Sequence, residues 1–121
     1  MQFNPQESNR RLMHIINAVQ AIQKYSKSTD KASFCTNSLI QDAILYQFTV
    51  IGEAIKHVDT DILDKYPYPW YKVRAFRNLV AHEYFNVKLS AVWQIIENDL
   101  PELETQIQTM INNEHQNGKE G

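Results

Sequence analysis

The 121-residue chain predicts an all-α fold, an antiparallel bundle of four to five helices. Two observations carry that expectation. Glycine and proline are sparse, at three and four copies, which leaves few turns and favours long elements over many short strands. Apolar residues also recur at steps of three and four along most of the chain, the period of a helix. The length suits one domain with a modest core, and an apolar fraction of 43% is ordinary for a globular protein.

The elements follow in order. From about Ser8 to Ser26, residues Leu12, Ile15 (or Ile16), Val19, Ile22 and Tyr25 form one apolar stripe, with Arg10, Arg11, Gln20, Gln23 and Lys24 on the other sides. SKSTDKAS has no periodicity and reads as a loop. A second helix starts at Asn37 or Ser38, either of which can accept a backbone N–H as N-cap, and Ile44, Phe48, Ile51, Ile55 and Val58 mark its buried side. Gly52 in this helix costs roughly 1 kcal/mol against alanine, so close approach of another helix is its expected reason. DTDILDKYPYPW reads as a short helical turn and a connector, with Pro69 placed to open the next helix. A third long helix is expected from Trp70 to Phe85, then a tight turn from Asn86 to Leu89. The last helix is expected to start near Ser90, its inner face formed by Val92, Ile95, Ile96, Leu100, Leu103, Ile107 and Met110. Pro101 should kink or restart it. The expected domain spans residues 1–112, and residues 113–121 read as a polar, frayed tail.

Composition narrows the function classes. A net charge of −2 provides no global field for nucleic acid, so any phosphate-binding surface must be a local patch. The single cysteine, Cys35, excludes an internal disulfide and a multi-cysteine metal site. MQFNPQESNR is polar, unlike a secretory signal, and the longest apolar-rich run, AILYQFTVIG, is too short to span a bilayer. A soluble, cytoplasmic protein with no membrane association is the resulting expectation.

Polar residues gather in one place. Around RAFRNLVAHEYF, residues 74–85, the span 72–88 holds Lys72, Arg74, Arg77 and Lys88 with only Glu83 as an acid, while Glu97, Asp99, Glu102 and Glu104 crowd the next helix. Arg77 and Tyr84 are seven apart and share a helical face. Asn78 and His82, four apart, form a second stacked pair beside them. Arg77 and His82 point to adjoining sides and would line one cleft if the same helix of a second subunit faced it across a two-fold axis. Such a cleft suits RNA cleavage without a metal or cofactor. Histidine transfers protons near neutrality, and arginine offers a planar fork of donors to phosphate. Asn78 would orient His82, Tyr84 would stack on a base or donate to a phosphate, and Lys72 and Arg74 are candidate RNA phosphate contacts. Taken alone, the pattern is a weak signal, because a single histidine on a helix is more often a structural or surface residue than a catalyst.

The surrounding sequence adds specificity. IGEAIKHV at 51–58, PWYKVRAFRNLVAHEYF at 69–85 and VWQIIENDLPELETQI at 92–107 closely resemble the HepT-like branch of the HEPN superfamily. The family motif of Arg, a polar residue, three residues, His, any residue and Tyr falls here on Arg77, Asn78, His82 and Tyr84. The resemblance implies an all-helical homodimer with paired motifs at its interface. It further implies a metal-independent endoribonuclease toxin of a type VII toxin–antitoxin system, with Arg77 and His82 catalytic and Asn78 supporting. Its cognate antitoxin would be an MntA-like nucleotidyltransferase that transfers AMP from ATP to Tyr84, blocking the site by bulk and negative charge. Relatives commonly read Tyr-Phe-Gly-Val-Asp where this chain has Asn86 and Lys88 at the Gly and Asp positions, which affects the turn and the capping of the last helix.

Two other readings compete. A non-catalytic helical module would dock a nucleotidyltransferase partner or a nucleotide and cut nothing. A metalloenzyme is disfavoured: His82-Glu83 lacks the second histidine of a zinc-protease helix, and Glu53 with His57 makes only two ligands on one face. Glu53 then reads as an ordinary helix residue or a support of the groove. The tyrosines other than Tyr84 read as core-edge or interface residues, and Trp70 and Trp93 as packing anchors.

Overall fold

The computed structural model describes residues 5–78 and 88–120, with side chains described for 6–78 and 88–114. Among these the regular structure is entirely helical: α1 (Pro5–Lys27), α2 (Lys31–Phe34), α3 (Ser38–Ile55), α4 (Thr60–Asp64), α5 (Trp70–Ala75), α6 (Leu89–Gln94), a π-helical turn (Ile95–Asp99) and α7 (Leu100–Glu120). The all-α expectation is met.

Packing follows the apolar stripes. Leu12, Ile15, Val19 and Ile22 of α1 are wholly buried against Ile44, Phe48 and Ile51 of α3 and Leu100, Ile107 and Met110 of α7, in one continuous core. Two polar contacts fix the directions. The Asp59 backbone N–H, just past α3, donates to the buried Ser8 hydroxyl near the start of α1 (3.0 Å). Gln23, near the end of α1, donates to Glu104 near the start of α7 (3.3 Å). Thus α1 runs antiparallel to both of its long neighbours, the economical way to join helices by short connections.

Several local expectations are refined. α1 opens at Pro5, ahead of Ser8, because a proline sacrifices no hydrogen bond at the first helical position. Within SKSTDKAS, Asp30 accepts the Ser33 N–H (2.8 Å) and nucleates the short α2, which buries Phe34. Asn37 is the N-cap of α3, as expected, accepting the Ile40 N–H at 3.2 Å. The last helical stretch starts at Leu89, with Lys88 as an N-cap lacking a side-chain bond, so Ser90 is a helical residue instead of a cap.

Pro101 neither breaks nor restarts that stretch. The turn ahead of it widens: the Leu100 N–H reaches back five residues to the Ile95 carbonyl, through the π turn Ile95–Asp99. A proline lacks the N–H that would bond the Glu97 carbonyl and its ring crowds that carbonyl. A wider turn accommodates both effects without losing the helix. The helix then continues past residue 112 to Glu120, and the buried Glu114 carboxylate accepts from Lys65 Nζ (3.1 Å) and Tyr66 Oη (2.8 Å).

Candidate functional site

A tight turn at Pro69 leads into α5, the Trp70 N–H donating to the Tyr68 carbonyl (2.7 Å). Trp70 anchors that start: its ring is buried, and its indole N–H donates to the Leu63 and Tyr66 carbonyls (3.2 and 3.1 Å). Only Val73 and Phe76 are buried between Tyr71 and Asn78, which leaves Lys72, Arg74, Arg77 and Asn78 exposed. Phe76 packs edge-on to Phe48 of α3, with ring centroids 5.0 Å apart.

The expected long helix from Trp70 to Phe85 is interrupted early. α5 ends at Ala75, and the Phe76 N–H tightens back to the Val73 carbonyl (3.1 Å). The cause is tertiary. Phe76 is pulled into the core, and the next residue, Arg77, lies with its backbone directly on Gly52 of α3. A methyl group on Gly52 would stand 2.5 Å from the Arg77 nitrogen and 2.8 Å from its Cβ. The glycine is therefore a notch that admits the Arg77 backbone, which accounts for its place in an otherwise apolar helix.

One residue further along α3, Glu53 Oε1 lies 2.5 Å from Arg77 Nε. Its other oxygen, Oε2, is 4.0 Å from Lys56 Nζ. Arg77 and Glu53 are 47% and 43% exposed, so the pair sits at the surface, within reach of a ligand. Periodicity does not reveal this partnership; the signal that points to it is Gly52, whose expected packing role lies one residue before Glu53. His82 and Tyr84 lie outside the described residues, as do Glu83, Asn86 and most of the expected turn from Asn86 to Leu89.

An open groove of about 570 Å³ lies between α4 and α5, lined by Asp64, Pro67, Tyr68, Tyr71 and Arg74 among others. Burial, reinforced by the negative charges of Glu102 and Asp99, holds the Tyr68 phenol above the ordinary tyrosine value. Among the described residues, no three His, Cys, Asp or Glu side chains gather as a metal site. No helix among them is long and apolar enough to cross a membrane.

A helical bundle that presents an arginine at the head of an Arg-Asn-x-x-x-His-x-Tyr run defines the HEPN class. The sequence profile of the family described as "Ribonuclease HepT-like" matches residues 15–110, and the chain belongs to that family. Curated relatives agree. A Methanocaldococcus jannaschii protein named "Gamma-glutamylcyclotransferase and putative RNase" is 32% identical over 97 residues, covering 79% of this chain and 44% of its own length. A second protein of that organism, named "Putative RNase", is 31% identical over 101 residues, 83% of this chain and 87% of its own. A Thermococcus cleftensis protein named "Probable ribonuclease HepT" is 27% identical over 93 residues, 76% and 84% of the two chains. No solved structure matches the chain.

Proposed function

We propose that this protein is a metal-independent endoribonuclease that works as a homodimer. The observation that carries the reading is Arg77: the first residue of the family motif is at the surface, fixed by Gly52 and Glu53, with Lys72 and Arg74 also exposed just ahead of it. Family membership supports RNA as the substrate. In the proposed reaction, His82 takes the proton of a ribose 2′-hydroxyl as that oxygen attacks the adjacent phosphorus. The bond to the 5′-oxygen breaks, and the leaving oxygen takes a proton from the histidine of the facing subunit. Products are a 2′,3′-cyclic phosphate and a 5′-hydroxyl. Arg77 neutralises charge on the phosphorane oxygens, while Asn78 orients His82.

The outer face of α3 supports the dimer. Leu39 and Tyr46 are seven apart and strongly exposed, at 78% and 64%. Half-buried Ala43 and Val50 complete their stripe, which leads directly to Glu53. A second copy seated there would bring two Arg77 residues to one groove. In the same reading the protein is a toxin, held in check when an MntA-like nucleotidyltransferase transfers AMP from ATP to Tyr84 with release of pyrophosphate. The added phosphate would repel RNA from Arg77.

The test is cleavage of RNA in the presence of a chelator by protein shown by mass spectrometry to carry no adenylyl group, beside His82→Ala. Fragments ending in 2′,3′-cyclic phosphate from the parent alone are expected. An intact, unmodified dimer that cuts no class of RNA would replace this reading with the docking module.

A further inference from the structure

We infer that Glu53 is a positioning residue for Arg77, fixing the direction in which its guanidinium meets the scissile phosphate; this rests on the ribonuclease reading above. Gly52 and Glu53 act on consecutive parts of the same arginine. The notch at Gly52 places the Arg77 backbone against α3, so the side chain leaves from a defined point. The Glu53 carboxylate then takes its Nε edge at 2.5 Å. Guanidinium presents five N–H groups in a planar fork. A carboxylate at Nε therefore leaves the edge between the two terminal amino groups to face a phosphate with two parallel hydrogen bonds.

Stability does not account for the pair. Exposed ion pairs contribute little to folding, and both partners here are nearly half exposed. Electrostatics does not account for it as RNA affinity either, because a carboxylate beside a phosphate site weakens phosphate binding. What remains is orientation, which lowers a reaction barrier by holding the group in its productive geometry before substrate arrives. Lys56 Nζ lies 4.0 Å from the second Glu53 oxygen, beyond hydrogen-bond distance, so Arg77 is the closer partner of this carboxylate.

This arrangement has a signature that a merely structural residue would not give. Glu53→Ala frees the guanidinium and removes a negative charge, so kcat should fall while KM for RNA holds or falls. Glu53→Gln keeps an acceptor oxygen and should recover most of kcat. The experiment compares the parent, Glu53→Ala, Glu53→Gln and Arg77→Ala, all verified as folded and unmodified. It has two readouts: steady-state cleavage of a short RNA over a range of concentrations under chelation, which separates kcat from KM, and the nitrogen–proton NMR resonance of Arg77 Nε. The expected result is a loss in kcat of about tenfold or more for Glu53→Ala, rescue by glutamine, and an Nε–H signal protected from solvent exchange in the parent and lost in Glu53→Ala. An unchanged kcat in Glu53→Ala where Arg77→Ala is inactive would overturn the inference, as would an Nε–H signal indifferent to Glu53. If the parent and Arg77→Ala behave alike in cleavage, the ribonuclease reading fails instead, and the resonance alone decides whether Glu53 holds Arg77.

Discussion

Along α1, α3 and α7, Leu12, Ile22, Phe48, Leu100 and Ile107 are wholly buried in a core that spans all three helices. From Tyr71 to Asn78 the chain buries only Val73 and Phe76, and otherwise exposes the residues with chemistry to offer. The first region is held by many apolar contacts, each replaceable in kind. The second is held by a few specific ones: the Phe48–Phe76 ring contact, the notch at Gly52 and the Glu53–Arg77 ion pair. Redundancy gives a frame tolerant of change, and specificity places one arginine. Both regions meet on α3, whose inner face builds the core and whose residues 52 and 53 build the site.

That contrast can be broken at either end. The largest effect on stability should come where the two regions join. Phe48→Ala removes a ring that is wholly buried and packed on Phe76, and should cost about 3–5 kcal/mol in denaturant unfolding. Gly52→Ala comes next. The colliding atoms are the Arg77 backbone nitrogen and Cβ, which no side-chain rotation moves away, so overpacking of about 1–3 kcal/mol should outweigh the ~1 kcal/mol gained by replacing a helical glycine. Unfolding should shift to lower denaturant, and cleavage should fall with it; a stabilised variant would mean that the notch is not required. Asn37→Ala, which removes the α3 cap far from the site, should cost about 1 kcal/mol and leave the cleavage rate per folded molecule unchanged.

The smallest effect is a pH dependence at the end of the frame. Burial first, and then the Glu114 carboxylate, hold the Tyr66 phenol above the ordinary 10.0, against a hydrogen bond with Asn113. A folded-state value raised above the unfolded one gives a contribution fully present below pH 10 and lost as pH climbs through the folded value. Tyr66→Phe should be less stable than the parent at neutral pH, through loss of the 2.8 Å bond to Glu114. The gap between them should narrow in alkaline urea titrations.

The frame was legible because its signal is periodic. Stripes such as Ile44, Phe48, Ile51 and Ile55 identify a buried face whatever its partner, and the cap at Asn37 depends only on neighbours in sequence. The site was legible in part. Lys72, Arg74, Arg77 and Asn78 are exposed, but the early end of α5 at Ala75 was not foreseen, since it follows from Phe76 and Arg77 packing on a helix about twenty-five residues away. The Glu53–Arg77 pair was hidden for the same reason, because spacing along one helix carries no information about what crosses it. The π turn before Pro101 was half visible: the proline announced a disturbance, but only the packed helix determined that it would widen and not break.

The most direct test of the whole account is RNA cleavage by unmodified, chelator-treated protein beside Arg77→Ala at matched unfolding temperature. The parent should leave 2′,3′-cyclic phosphate ends, and Arg77→Ala should cut at least about a hundredfold more slowly, as expected when a donor to the developing phosphorane charge is removed. Cleavage by folded Arg77→Ala at the parental rate, or cleavage that appears only when a divalent metal is restored, would contradict it.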